Sequence, residues 1–245
     1  MREKVINTNQ QLAINKLRAH AEHLLDGFIT LRERYAMLRP MLHNESVVKN
    51  KGSNKQYRGF IIIRNTMLLS CCQLIANLCF DKNSNCPSIH QLMEKLEDTS
   101  LRKIVKDVYS RPTPIASSDL SDEVLKFIQQ DEHTSRKAEF DKFYKELLLL
   151  WSQFKTSKSA TSILEIRKKV AAHTDINLID GQYRLFDISS LDLKWDDILE
   201  TISNMQEIIE SLNIIIRNSS YSWDTLDELI YKSVNDYWEI PSQPN

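Results

Sequence analysis

Apolar residues recur three and four positions apart along most of the chain, and that period predicts helices joined by short polar breaks. A first helix is predicted from about Thr8 to Arg39 on a stripe of Leu12, Ala13, Leu17, Leu24, Phe28, Leu31 and Tyr35, stopping at Pro40. The polar, lysine-bearing stretch from Ser46 to Gln56 reads as a loop. It leads into a helix from Tyr57 to Phe80 that is apolar on two faces, one through Phe60, Ile63, Met67, Cys71, Leu74 and Leu78, the other through Ile61, Leu68, Cys72, Ile75 and Cys79. Two apolar faces predict the buried centre of a bundle. Asn83 to Pro87 breaks the pattern, and Ser88 with Gln91 three residues on predicts a capping-box start for a helix through Leu96. A short helix from Ser100 to Tyr109 and a surface connection from Arg111 to Ser118 follow. The next helix, from about Ser121 to Lys155, has Val124, Phe127, Ile128, Phe140, Phe143, Leu147 and Leu150 as apolar markers, with a kink expected in its polar middle, Gln130 to Lys137.

A further helix reads from Ser162 to about Thr174, where Ile163, Ile166 and Val170 make one stripe and His173 falls next on it. Asp180-Gly181 predicts a turn, Gln182 to Asp187 a short extended stretch, and Trp195 to Arg217 and Trp223 to Trp238 two final helices. In the last of these, Leu226, Leu229, Ile230 and Val234 read as a face closing the core. The fold class is therefore all-α. Only four glycines and six prolines punctuate 245 residues, which suits long helices joined by few loops. The expected organisation is a single domain over residues 1–245, with a core at about 8–220 and a C-terminal accessory helix at about 223–238.

A histidine where the pattern calls for an apolar residue points into a core or an interface, and an imidazole titrating near ~6.5 suits proton transfer at neutral pH. Arg167 lies six residues before it. The formal net charge of -1 does not favour nucleic acid, but the distribution is uneven. Lys155, Lys158, Arg167, Lys168 and Lys169 face one acid, Glu165, between Trp151 and Lys169, while Asp180 to Glu200 is acidic. The plain alternative is a solvated basic helix face beside an acidic one. Arg64 sits among apolar residues and calls for a carboxylate or a phosphate as partner.

Other chemistries find little support. No G-x-G-x-x-G, P-loop, H-E-x-x-H or G-x-S-x-G is present, so no cofactor and no metal site is expected. His20 and His23 read as surface histidines, and Cys71, Cys72, Cys79 and Cys86 as reduced thiols, most of them in the core. The polar N-terminal residues offer no signal peptide, and Arg64, Asn65, Gln73 and Asn77 interrupt the longest apolar helix, so a cytoplasmic protein without a membrane span is expected.

The stretch Ile166 to Asp175 resembles the R-x(4-6)-H signature of the HEPN superfamily, here as R-x5-H from Arg167 to His173. Phe60 to Asn65 running on to Leu78-Cys79-Phe80-Asp81 is similar to the "RN... L-x-F-D" helix of abortive-infection AbiU-type HEPN proteins, and Ser88 to Leu92 follows as the short helix does there. Leu193 to Ile198 is similar to that family's tryptophan-bearing helix start, so the resemblance covers roughly residues 8 to 220. It implies a HEPN-like up-and-down helical bundle with additional N- and C-terminal helices. It also implies a metal-independent endoribonuclease of bacterial phage defence, working as a homodimer with RNA as substrate.

In that reading His173 moves the proton of an RNA 2′-hydroxyl or of the leaving 5′-oxygen, and Arg167 stabilises charge on the phosphate. Lys168, Lys169 and Arg64 are the RNA-binding candidates, with Asp175 and Asn65 supporting. On a straight α-helix Arg167 and His173 stand about 240° and about 9 Å apart, so a shared site asks for a second chain. Lys168 departs from the small polar residue that many HEPN ribonucleases carry after the arginine. Three alternatives stay open: His173 as a packed or helix-end histidine bonded to Asp175 or a carbonyl; an inert HEPN module binding RNA or an antitoxin-like protein; or a helical adaptor. A phage-derived trigger is a further expected partner.

Overall fold

The computed structural model describes residues 8–49, 52–113, 121–168, 176–179, 182–185 and 194–240. In chain order the helices are α1 (Thr8–His43), α2 (Glu45–Lys49), α3 (Asn54–Phe80), α4 (Ile89–Glu97), α5 (Thr99–Tyr109), α6 (Asp122–Thr156), α7 (Lys158–Ile166), α8 (Trp195–Arg217) and α9 (Trp223–Trp238). The fold is all-α, with one small addition. Strands β1 (Ile176–Ile179) and β2 (Gln182–Leu185) pair antiparallel, from Ile176 opposite Leu185 to Ile179 opposite Gln182. That register leaves two residues between the strands, the spacing of a tight hairpin, for which Asp-Gly is a favoured pair. Asp180 and Gly181 themselves lie outside the described residues, as do Pro114 to Ser118 of the predicted surface connection.

Helix ends follow the capping chemistry. Ser88 caps α4 through its hydroxyl, which accepts the Gln91 N–H at 3.2 Å and donates to the Asp81 carbonyl at 2.7 Å. The Gln91 amide turns instead to the Lys82 carbonyl at 2.9 Å, tying the helix to the preceding loop. Asp98 then caps α5 by accepting from Ser100 and Leu101. Ser88→Ala is expected to cost about 1 kcal/mol, because it removes the cap from a buried helix start. Chemical denaturation should show a lower midpoint at unchanged slope, and an unmoved midpoint would contradict the assignment.

Three predicted boundaries are corrected, the first being the expected loop from Ser46 to Gln56, where most of α2 and the start of α3 stand. α1 runs through Pro40 to His43. Proline lacks the N–H for the preceding turn, but Met41, behind it, is buried with Val47 and Phe60, and the Trp238 indole N–H donates to the Met37 carbonyl at 3.3 Å. Packing of the last turn carries the helix past the proline. α7 starts at Lys158, not Ser162, because Ser157 is the serine whose hydroxyl accepts the Ala160 N–H, at 3.2 Å. In a serine- and threonine-rich run, sequence does not say which hydroxyl caps. α6 is continuous through Gln130 to Lys137, where a kink was expected.

The chain divides into two compact units, neither of them contiguous in sequence. The first comprises residues 1–25, 80–153 and 207–220, and the second residues 26–79, 154–206 and 221–245. In the first unit Ile14, Leu17, Ala21 and Leu24 of α1 are buried together with Leu92 and Leu96 of α4, Val105 of α5, Phe140 and Leu147 of α6 and Leu212 of α8. Tyr109 packs on Phe140 with ring centroids 5.7 Å apart, and Lys106 pairs with Asp141 at 2.5 Å. The phase of this stripe leaves Leu12 and Ala13 exposed, contrary to expectation, and places His20 inside at 8% exposure, while His23 is exposed as expected. Val124, Phe127 and Ile128, expected to be core, are exposed, Phe127 by 73%, and no described residue of α6 before Phe140 is buried.

In the second unit Phe28, Leu31, Tyr35 and Leu38 of α1 are buried, as are Cys71, Cys72 and Ile75 of α3, Ile163 and Ile166 of α7, Ile202 and Met205 of α8, and Trp223 and Val234 of α9. Phe28 meets Trp223 edge-on at 5.6 Å, and the Arg32 guanidinium lies over the Trp223 ring while bonding Gln206 and Asp227. A Cβ at Gly27 would sit 2.7 Å from Leu78 Cδ2, so glycine permits the close approach of α1 to α3. α3 is buried on two faces only from Leu68 onward; Ile62 and Ile63 are 58% and 56% exposed. On α9, Leu229 is likewise exposed, so Trp223 and Val234 make the closing contact that Leu229 was expected to share. By length and composition α3 is long and apolar enough to cross a membrane, which corrects the expectation that its polar residues exclude it. Its second half is nonetheless packed against protein. Burial pushes the Cys71 and Cys72 thiols up to about 12, so they stay protonated as unreactive core groups.

Candidate functional site

α8 presents a tryptophan at its head. The Lys194 N–H donates to the Asp197 carboxylate at 2.8 Å, which fixes the helix start, and Asp196 and Asp197 in the first turn suit its positive end. Trp195, the first residue, keeps an exposed edge. The Arg64 guanidinium of α3 lies over its ring, 5.9 Å from the centroid. A contact of this kind contributes about 0.5–2 kcal/mol, more as it is desolvated. No carboxylate pairs with Arg64 among the described residues, and its buried Nε has no hydrogen-bond partner there. Among the described residues it is an aromatic face, and not a carboxylate, that meets Arg64. Asn65, one residue on and turned about 100° around the helix, is exposed.

Arg167 is half-buried at the end of α7, where its backbone N–H reaches both the Ile163 and Leu164 carbonyls. Ile163 and Ile166 are buried as the stripe requires. At Arg167 and Lys168 the backbone changes to a π-helical turn. Lys168 is exposed and pairs with Glu165 at 3.5 Å, which neutralises part of the basic patch. Lys155 and Lys158 remain exposed. Lys169, Val170, His173 and Asp175 lie outside the described residues.

The second unit therefore contains Arg64, Asn65, Arg167, Lys168 and Trp195, with Arg64 and Trp195 in contact. Sequence reasoning named Arg64 but missed its partner; a tryptophan followed by two aspartates marks a helix start and says nothing of what lies on the ring. Two clefts open in the same unit, of about 260 and about 250 Å³. The larger is lined by Arg32, Tyr35, Gln206, Asp227 and Tyr231, the smaller by Arg39, His43 and Asn235. Burial raises the Tyr35 hydroxyl above its ordinary value, so it remains a proton donor there. Neither cleft is lined by Arg64, Arg167 or Lys168. Among the described residues no three His, Cys, Asp or Glu side chains gather as metal ligands.

No curated protein and no solved structure shows significant similarity to the chain. The family comparison is positive over most of the length. Arg64, Arg167 and Trp195 all fall within residues 14–237, the stretch that matches the AbiU2 family of HEPN proteins, and the chain belongs to that family.

Proposed function

We propose that this protein is a metal-independent endoribonuclease of phage defence, acting in the cytoplasm as a homodimer. The observation that carries the reading is the family match over residues 14–237, with Arg167 and His173 in R-x5-H spacing inside it. His173 takes the proton of the RNA 2′-hydroxyl, the oxygen attacks the adjacent phosphorus, and the 5′-oxygen leaves with a proton supplied by an acid such as the second chain's imidazole. Arg167 stabilises the charge gathering on the phosphate, and the product is a 2′,3′-cyclic phosphate. Lys168, Lys169 and Arg64 hold backbone phosphate, while Asp175 and Asn65 orient their neighbours. A buried Nε on Arg64 without a bonded partner among the described residues supports a further hydrogen-bonding role for that side chain.

The homodimer draws support from Ile62 and Ile63, apolar and more than half exposed immediately before Arg64, where a second chain has surface to cover. A second reading, an inert HEPN module that binds RNA or an antitoxin-like protein, is favoured by one observation: Lys168 follows Arg167 and is already paired with Glu165.

Purified protein incubated with total RNA, beside a His173→Ala control, separates the two. Cleavage is expected to survive EDTA, because the proposed groups are imidazole, guanidinium and ammonium, none of which needs a metal to act. Activity lost on chelation and restored by magnesium or manganese would sink the metal-free chemistry and redirect attention to the carboxylates between Asp180 and Asp197.

A further inference from the structure

In the first unit α1 and α4 bring basic groups together. Lys16, His20 and His23, four and then three residues apart, share one face of α1. Lys95 of α4 places its Nζ 3.3 Å from His20 Nδ1. An ammonium only donates, so His20 Nδ1 accepts and its remaining proton sits on Nε2. Neither Lys16 nor Lys95 has an ion pair among the described residues. The nearest acid on α4, Glu94, accepts the Gln91 amide at 3.2 Å. His20, buried to 8% exposure, thus meets the Lys95 ammonium with Lys16 one turn away on the same face of α1, and neither lysine is bonded to a carboxylate among the described residues.

We propose that Lys16, His20 and Lys95 form an oxyanion site that takes a phosphate group, free or within a nucleic-acid backbone. The charge balance points the same way. His20 is held below its ordinary pKa by burial first, then by Lys95, Lys16 and His23, and Lys95 is lowered by burial and Lys16 against the opposing pull of Glu94. Every cation here makes the next proton harder to hold, and an anion reverses that sign. With phosphate bound, Lys95 turns donors toward the oxyanion and His20 gains a reason to protonate, so binding takes up a proton. The site belongs to a different unit from Arg167, and its test does not depend on cleavage.

The test follows the His20 ring protons of the full-length protein by NMR through a pH titration, with the signal assigned by a His20→Gln variant. Runs are made alone, with inorganic phosphate, and with single-stranded oligodeoxyadenylate lacking terminal phosphates, which has no 2′-hydroxyl to cleave. Alone, His20 should titrate below ~6.5; added anion should move its midpoint up to a saturating value. A Lys16→Ala/Lys95→Met variant keeps the buried ring, should bind about tenfold or more weakly, and should titrate higher when free because two positive neighbours are gone. Movement with the oligonucleotide assigns the site to backbone phosphate, and movement with inorganic phosphate alone assigns it to a free anion. A His20 midpoint that neither probe moves in the folded parent protein overturns the proposal, whatever the variant does.

Discussion

Replacing His173 with alanine is expected to reduce RNA cleavage by about 10²- to 10⁴-fold, the usual loss when a general acid-base group is removed. The circular dichroism spectrum should stay helical, because the buried contacts of α7 are made by Ile163 and Ile166, seven or more residues earlier. Any growth arrest on expression should disappear with the activity. Histidine at this position has two readings, a proton carrier or a packed helix-end residue, and the variant divides them cleanly. A packing role predicts a lower unfolding midpoint and unchanged cleavage per folded molecule. That outcome would withdraw His173 from the reaction and leave the inert binding module as the better account.

Arg167→Ala is expected to cost about 10²- to 10³-fold, the scale for losing one donor that stabilises developing charge. The composite site adds a second expectation. Light scattering at working concentration should report about twice the mass of one chain, and mixing Arg167→Ala with His173→Ala chains should give a heterodimer whose activity differs from both parents. On a straight α-helix the two side chains stand about 240° apart, which asks for a second chain, and the exposed Ile62 and Ile63 offer surface for it to cover. Full specific activity from a monomer at every concentration assayed would rule out the shared site.

Several elements were legible from local pattern alone. Trp195–Arg217 and Trp223–Trp238 form the helices their periodicity predicts, and Ser88 caps as its spacing from Gln91 requires. These depend on neighbours within a turn or two. The R-x5-H stretch and its flanking segments likewise led to the family that residues 14–237 match. Where a hydroxyl-rich run offered several caps, as before α7, the same local rules were not decisive.

What periodicity determined is which residues are able to form an amphipathic face; what only the tertiary structure decided is whether another element covers it. Phe127 and Ile63 read as core by spacing and lie in solvent: on α6 no described residue before Phe140 is buried, and on the front of α3 it is Phe60, not Ile63, that packs with Met41 and Val47. His20 read as surface and is buried, because the phase of α1 is set by Ile14, Leu17 and Ala21 packing in its unit. Arg64 called for a counter-charge, and among the described residues what meets it is the face of Trp195, about 130 residues away in sequence. Burial and ion pairing are properties of surfaces brought together from distant parts of the chain, and a one-dimensional pattern carries the capacity for them without the partner.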